Sequence, residues 1–288
     1  MRQPCYKECR SVMGDRKRIY ITVKTYPTIS EKYAELVCTA GILEDGTWMR
    51  IYPIPFRQLS DEQKYPKYAW INVDVEKNPT DFRVESYRPD LSSLITETKP
   101  KKADWNERRR IILQNGTVYT NLSEIISKAK NEKISLVTFK PTKILDFIVE
   151  PDNPEWDPKK LENLQMRSRQ FDLFKSAEEI EEEFRVVKKI PYKFSYRFED
   201  DSGKKSKLMI EDWEIGMLYL KCLNRADGNE EVAINQVKQK FMEEFAKRDI
   251  YFFLGTTLEH HYISKNPFII IGVFYPPKLP PNEQMSLF

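Results

Sequence analysis

Arg18-Ile-Tyr-Ile-Thr-Val-Lys-Thr25 is rich in β-branched residues and alternates apolar with longer polar side chains. A period of two is the pattern of a strand with one face in a core. Read this way, Ile19, Ile21, Val23 and Thr25 share the buried face, and Arg18, Tyr20, Lys24 and Tyr26 share the other. Two apolar runs follow, Tyr33–Leu43 and Thr47–Ile54, joined by Glu44-Asp45-Gly46. An Asp-Gly pair between such runs is a strong hairpin signal. Tyr68–Glu76 and Phe82–Tyr87 suggest a second hairpin across Lys77–Thr80, and Ile134–Phe139 and Lys143–Val149 read as strands. Ala103–Leu113 and Leu122–Lys130 have helical spacing. The pattern predicts a barrel-like β unit over residues 18–150 with added helices, preceded by a basic lead, 1–17.

Residues 151–160 contain three prolines and mark the expected domain boundary. A linker with a charged, partly helical segment is expected over 151–190. Beyond it, Tyr192–Glu199 and Lys205–Ile210 form a hairpin across Asp200–Gly203. Asp212 is placed to cap a helix over Trp213–Leu223, with Glu214 in its first turn. Glu230–Lys247 reads as a second helix, and Ile250–Leu254 and Phe268–Tyr275 as strands. The fold class is therefore α+β: an N-terminal barrel unit, a second and smaller α+β unit over 191–275, and an extended tail, 276–288.

Composition supports packed cores. The 288 residues, a length suited to about two domains, are 40% hydrophobic and 12% aromatic. The longest apolar run, Pro267–Tyr275, is too short to span a membrane, and the first residues lack the apolar core of a signal peptide. A cytoplasmic protein with no membrane partner is expected. The net charge is +3, but cations are uneven: Arg2 through Lys32 is basic, Lys101-Lys102 and Arg108–Arg110 form a second cluster, and Glu178–Glu183 is acidic. Such polarity suits phosphate binding by the N-terminal half, or simply a solvated surface. Cys5 and Cys9 have metal-ligand spacing but no second Cys/His pair nearby. No metal site is assigned.

Ile21–Pro27, Tyr33–Ile42 and Trp48–Phe56 together resemble uncharacterised bacterial dual OB-domain proteins. The resemblance implies OB-like barrels and no established activity.

Single-strand binders combine cations with aromatic stacking platforms. Arg18, Tyr20, Lys24 and Tyr26 on the first strand supply both types, as do Trp48, Arg50 and Tyr52 on a later one, and Arg108, Arg109 and Arg110 on a helix add cations. These are the candidate contacts to DNA or RNA; an ordinary amphipathic strand with long snorkelling side chains is the alternative. Catalytic signatures are sparse: no Gly-rich phosphate loop and no nucleophile elbow occur. Asp212 and Glu214, with His260 or His261, are the residues from which a Mg²⁺-dependent nuclease or nucleotide-modifying enzyme would be built.

The most specific motif is terminal. Four prolines within Pro276–Pro281 favour an extended tether. It leads to Gln284-Met285-Ser286-Leu287-Phe288. This pentapeptide resembles the sliding-clamp-binding motif of bacterial polymerases, mismatch-repair proteins and replication regulators. The resemblance implies that Gln284 fills a polar subsite and Leu287-Phe288 an apolar pocket, with Met285 in the aliphatic place and Ser286 as spacer. The expected protein is a nucleic-acid-binding accessory factor recruited to DNA by the clamp, in a replication, repair, phage or anti-phage role. The alternatives are the metal-dependent enzyme, a non-catalytic adaptor, and a tail that latches back onto its own body.

Overall fold

The structure, a computed structural model, describes residues 14–29, 35–97, 104–114, 117–168 and 187–279. β1 (Asp15–Lys24) is the central strand of the first unit, pairing antiparallel with β5 (Trp70–Lys77) on one side and β3 (Glu35–Leu43) on the other. β3 turns through Asp45-Gly46, where Gly46 takes a φ of +82°, into β4 (Trp48–Ile54). β4 pairs in parallel with β6 (Ser86–Thr96), and β6 with β5, so five strands close on themselves. The short β2 (Thr28–Ile29) extends from β3. Ile19, Ile21, Val37, Met49, Ile51, Ile71 and Val73 fill the interior. In chain order the barrel strands lie first–fourth–fifth–third–second–first, with third and fifth parallel, the Greek-key order of an OB barrel.

Strand and loop positions near residue 82 differ from the sequence reading. Residues 82–85 are not strand, and β6 begins only at Ser86. Asp81 is the cause: its carboxylate accepts from the backbone and guanidinium of Arg83 and from the Ser86 hydroxyl, which ties the segment into a turn.

The second unit repeats the first. β8 (Leu136–Phe139) and β9 (Lys143–Pro151) are two halves of one bent strand. β9 pairs with β10 (Tyr192–Glu199), and β10 with β11 (Lys205–Met209). β8 pairs with β12 (Tyr251–Thr256), and β12 with β13 (Phe268–Phe274). A parallel bridge from Ile210 to Ile270 joins the two sheets. Counting β8 and β9 as one strand, the order is again first–fourth–fifth–third–second–first, with third and fifth parallel. β7 (Val118–Tyr119) adds an edge beside β8. Phe139, Phe147, Phe194, Tyr196, Phe198 and Phe252 form the aromatic interior.

Two expectations are corrected here. The α+β class and the N-terminal barrel hold, but the boundary does not lie at 151. Residues 136–151 pair with strands of the second unit, so the first barrel ends with α1 (Trp105–Leu113), and 152–191 is an insertion within the second barrel. Pro151 closes β9 and Pro158 opens α3; the prolines do not separate domains. The second unit is likewise a full OB-type barrel.

Helices follow their caps. Asp104 caps α1 and Asn121 caps α2 (Leu122–Glu132), each accepting two backbone N–H groups. α3 (Pro158–Ser168) lies in the insertion. Asp212 caps α4 (Trp213–Arg225) as expected, and Asn229 caps α5 (Glu230–Gln239). The helix expected to run to Lys247 instead widens into a π-turn over Lys240–Phe245, which buries both Phe241 and Phe245. Among the described residues, no helix is long and apolar enough to cross a membrane.

Candidate nucleic-acid interface

The two barrels are packed against each other, and this contact takes up part of the surface proposed from sequence. Tyr20, Val23, Ala40 and Ile42 on the outside of the first barrel share a buried cluster with Leu136, Tyr251, Phe253 and Ile271 of the second. A β-bulge between Ile21 and Val23 breaks the period of two in β1. Val23 thereby turns outward beside Tyr20, so Ile19 and Ile21 fill the barrel interior, Val23 joins the inter-barrel cluster, and Thr25 is only partly buried.

Most of the candidate contacts from the sequence are engaged within the protein. Arg18 makes a two-pronged pair with Glu97 and a third bond to Glu44. Tyr20 is buried, with its ring 5.0 Å from that of Trp70. Lys24 donates to the Tyr65 carbonyl and lies over the Phe56 ring; burial lowers its amine to about 8. Trp48 packs edge-on against Phe253 of the second barrel. Arg50 is buried at 2% exposure and bonds Ser135 and the Thr256 carbonyl. Tyr52 is half-buried, and burial raises its phenol. Arg108 stacks on Tyr68. Arg109 is buried, paired with Asp249, and donates to the Pro277 carbonyl. Arg110 is exposed. Alternation alone could not show this, because a strand face covered by another domain and one covered by a ligand read alike.

The catalytic candidates do not converge. Asp212 caps α4 and, with Glu214, grips the buried Lys67 ammonium at 2.9 Å each. Burial opposes the charge on Lys67, but the two carboxylates overcome it and hold the group protonated. His260 is exposed beside Thr257. His261 is fully buried: its Nε2–H donates to the Ala129 carbonyl and its Nδ1 accepts from the Thr256 hydroxyl. Among the described residues, no three His, Cys, Asp or Glu side chains form a metal-ligand group. Cys5, Cys9, Glu178–Glu183 and Gln284–Phe288 lie outside the described residues.

Burial in this site disfavours the charged ring and lowers the His261 pKa below its usual value. The unfolded chain therefore takes up the proton first as pH falls below about 6.5, so the stabilisation is present above that pH and is lost on acidification. The urea midpoint is expected to fall between pH 7.5 and 5.5, and to fall less in His261→Gln. Equal pH dependence of the two proteins would refute this role.

What remains open is the outer face of β9, β10 and β11. Along β10, Phe194, Tyr196 and Phe198 point inward, while Lys193 and Arg197 are exposed. On β11, Lys205 and Lys207 are exposed, with Lys207 directly opposite Arg197. Lys207 pairs with Glu150 and Lys193 with Asp152, whereas Arg197 and Lys205 have no carboxylate partner among the described residues. Same-face residues two apart on a strand stand about 6.6 Å from each other. The sequence reading missed these cations, although Lys-Phe-Ser-Tyr-Arg-Phe over 193–198 shows the alternation.

Two cavities adjoin this architecture. One of about 530 Å³ lies between α4, Phe241, Phe245 and Tyr275, with mainly apolar walls. The other, about 200 Å³, lies where β10 and β11 meet the Tyr26–Thr28 segment of the first barrel and Trp156 of the insertion. Gly216 is required beside it: a Cβ there would stand 2.3 Å from the Tyr26 ring. Glu211 lines this cavity, and burial raises its carboxyl.

Two OB-type barrels sharing one buried interface define a two-barrel α+β protein. The chain belongs to the family described as domain of unknown function DUF8757, which matches residues 118–288. Residues 15–114 match a second family of unknown function, DUF8758, and the junction falls where the first barrel ends. No curated protein matches the chain. Among solved structures it is similar to a murine DNA-binding protein bound to double-stranded DNA, at 10% identity and a TM-score of 0.31, covering 92% of this chain and 98% of that one. It is also similar to a replication protein A heterotrimer bound to single-stranded DNA, at 10% identity and a TM-score of 0.29, covering 96% of this chain and 68% of that one. Likeness at this distance transfers no function.

Proposed function

We propose that this protein is a nucleic-acid-binding accessory factor, held at DNA by binding of Gln284–Phe288 to the bacterial sliding clamp, in a replication, repair, phage or anti-phage role. The observation that carries this reading is the root of the tail. The Asp249 N–H donates to the Pro276 carbonyl at 3.1 Å, and Arg109 donates to the Pro277 carbonyl at 2.7 Å. The proline-rich tether therefore starts from a fixed point on the body. The open cations of β10 and β11 suit a phosphate backbone, and tethering raises the effective concentration of such a modest site near DNA.

Deleting Gln284–Phe288, or changing Leu287 and Phe288 to alanine, is expected to weaken clamp binding at least about 100-fold in calorimetry, since the Leu-Phe pair carries most of the apolar contact. An intact chain that does not bind the clamp overturns the recruitment reading.

The nucleic-acid arm has its own test. Arg197→Ala, Lys205→Ala and Lys207→Ala combined are expected to flatten the dependence of log affinity on log salt by about 2, at ~0.7 per single-strand phosphate contact. An unchanged slope would remove this face from the interface.

A further inference from the structure

We infer that the cavity between α4 and the π-turn is a docking groove for the protein's own tail, which seats Leu287 and Phe288 when no clamp holds them; the inference rests on the recruitment reading above and adds its regulation. Three observations point to it.

The first is the groove. Its volume is about 530 Å³, within the roughly 300–1,000 Å³ of sites that bury a drug-sized ligand. Phe241, Phe245 and Val273 line it and are buried. Glu214, Met217, Lys221 and Asn224 line it as well, and all four are exposed. Their spacing of three, four and three residues puts them on one stripe of α4, so the cavity is open to solvent along that helix. From Glu214 to Asn224 the helix rises about 15 Å, roughly the length of five residues of extended chain. The motif Gln284–Phe288 is a segment of that length.

The second is apolar complementarity. Met217 is 43% exposed, a large apolar side chain held open on the stripe. Methionine adapts its shape to what packs on it. Met285, Leu287 and Phe288 are also large and apolar. Docking the tail here takes both surfaces out of water together.

The third is the tether. Tyr275 lines the groove, its ring stacked on that of Phe245 at 3.6 Å, and the tail begins at the next residue. The Asp249 N–H fixes the Pro276 carbonyl. Leu279, four steps beyond Tyr275, stands at most about 15 Å from it, since each step spans about 3.8 Å. Residues 280–288 lie outside the described residues. Nine extended residues reach about 30 Å, enough to cover that offset and the length of the groove. A tether this short gives the motif an effective concentration on the order of millimolar, which a free peptide of the same chemistry must match to compete. The chain's own tail is therefore the occupant.

Leu287 and Phe288 fill the groove or the clamp pocket, not both. Clamp binding must displace the tail, and the measured affinity is reduced by the fraction of chains whose tail is free.

Two measurements on the full chain test this. With Phe288→p-benzoylphenylalanine, irradiation is expected to cross-link the tail within one molecule to the groove, and mass spectrometry should place the link at Met217 or its groove neighbours. Met217→Glu puts a charge into the groove at an exposed position. It is expected to weaken that cross-link and to raise clamp affinity in calorimetry about fivefold, the gain when a tail free about one-fifth of the time is released. If Met217→Glu fails to fold, the cross-link decides alone. Links elsewhere on the body, links only between two molecules, or no link overturn the groove and leave recruitment to be judged by clamp binding. Clamp affinity unchanged by Met217→Glu, in a chain that binds the clamp, also overturns the inference and leaves recruitment standing. A groove cross-link in a chain that does not bind the clamp supports the docking groove and overturns recruitment. Neither cross-link nor clamp binding overturns both.

Discussion

Arg50→Ala is expected to cost about 1.5–3 kcal/mol, the scale for leaving buried polar groups without a charged hydrogen-bond donor. Arg50 belongs to the first barrel and is 2% exposed. Its guanidinium donates to the Ser135 hydroxyl at 2.7 Å, to the Ser135 carbonyl at 3.3 Å and to the Thr256 carbonyl at 3.4 Å, all in the second barrel. Ser135 in turn donates its N–H and hydroxyl to the Glu85 carboxylate. Alanine leaves the Ser135 carbonyl without this donor and removes the cation that faces Glu85. Arg83 still reaches the Thr256 carbonyl, so the seam is weakened and not erased. Because the network joins the barrels, the loss should also reduce cooperativity. Urea unfolding followed by tryptophan fluorescence and far-UV circular dichroism should give coincident transitions in the native chain and separated ones in the variant. A loss below about 1 kcal/mol with coincident probes would contradict this role. A nucleic-acid contact at Arg50 would give the reverse pattern: unchanged stability and reduced affinity.

Gly41→Ala is the second large effect, and it arises from a single methyl group. A Cβ at Gly41 would lie 2.3 Å from the Tyr20 carbonyl oxygen and 2.7 Å from Ile19 Cγ2. The first obstacle is backbone, which cannot rotate away. Gly41 pairs with Ile21 on one side and Met49 on the other, next to the β1 bulge, so β3 can yield only by opening a seam of the barrel. Overpacking of this kind costs about 1–3 kcal/mol, and a backbone obstacle belongs at the upper end. The lower entropy of the unfolded alanine chain returns about 0.4–1 kcal/mol. A net loss of about 2 kcal/mol is expected in denaturant titrations. A neutral or stabilising result would mean that β1 and β3 are not in contact at this point.

Both predictions concern features that the sequence displays without explaining. Gly41 is visible in Thr-Ala-Gly-Ile as a glycine inside a strand, and Arg50 as a cation on an alternating one. Most strands and helices were legible because local periodicity and capping chemistry are local properties: β1, β4, β10 and α4 fall close to their expected positions, and Asp212 caps as its place before Trp213 implies. The barrel boundary was not legible. Pro151 closes β9 and Pro158 opens α3, and nothing local says whether the chain beyond belongs to the same sheet. The candidate interface suffered most. Arg18, Tyr20, Trp48 and Arg50 satisfy the composition of a stacking face, yet all four are engaged by the protein itself.

The sequence by itself determined the α+β class, most strands of the first barrel, the Asp212 cap and the terminal Gln-Met-Ser-Leu-Phe motif, because each depends on neighbours within a few positions. Tertiary structure decided the rest. It showed that the second unit repeats the first barrel's strand order, that the aromatic and basic face of the first barrel is spent on joining the two, and that the open cations belong to β10 and β11. The physical reason is the same in each case. A strand presents its two faces according to its own alternation, but what covers a face comes from residues up to about 200 positions away, as between Arg50 and Thr256.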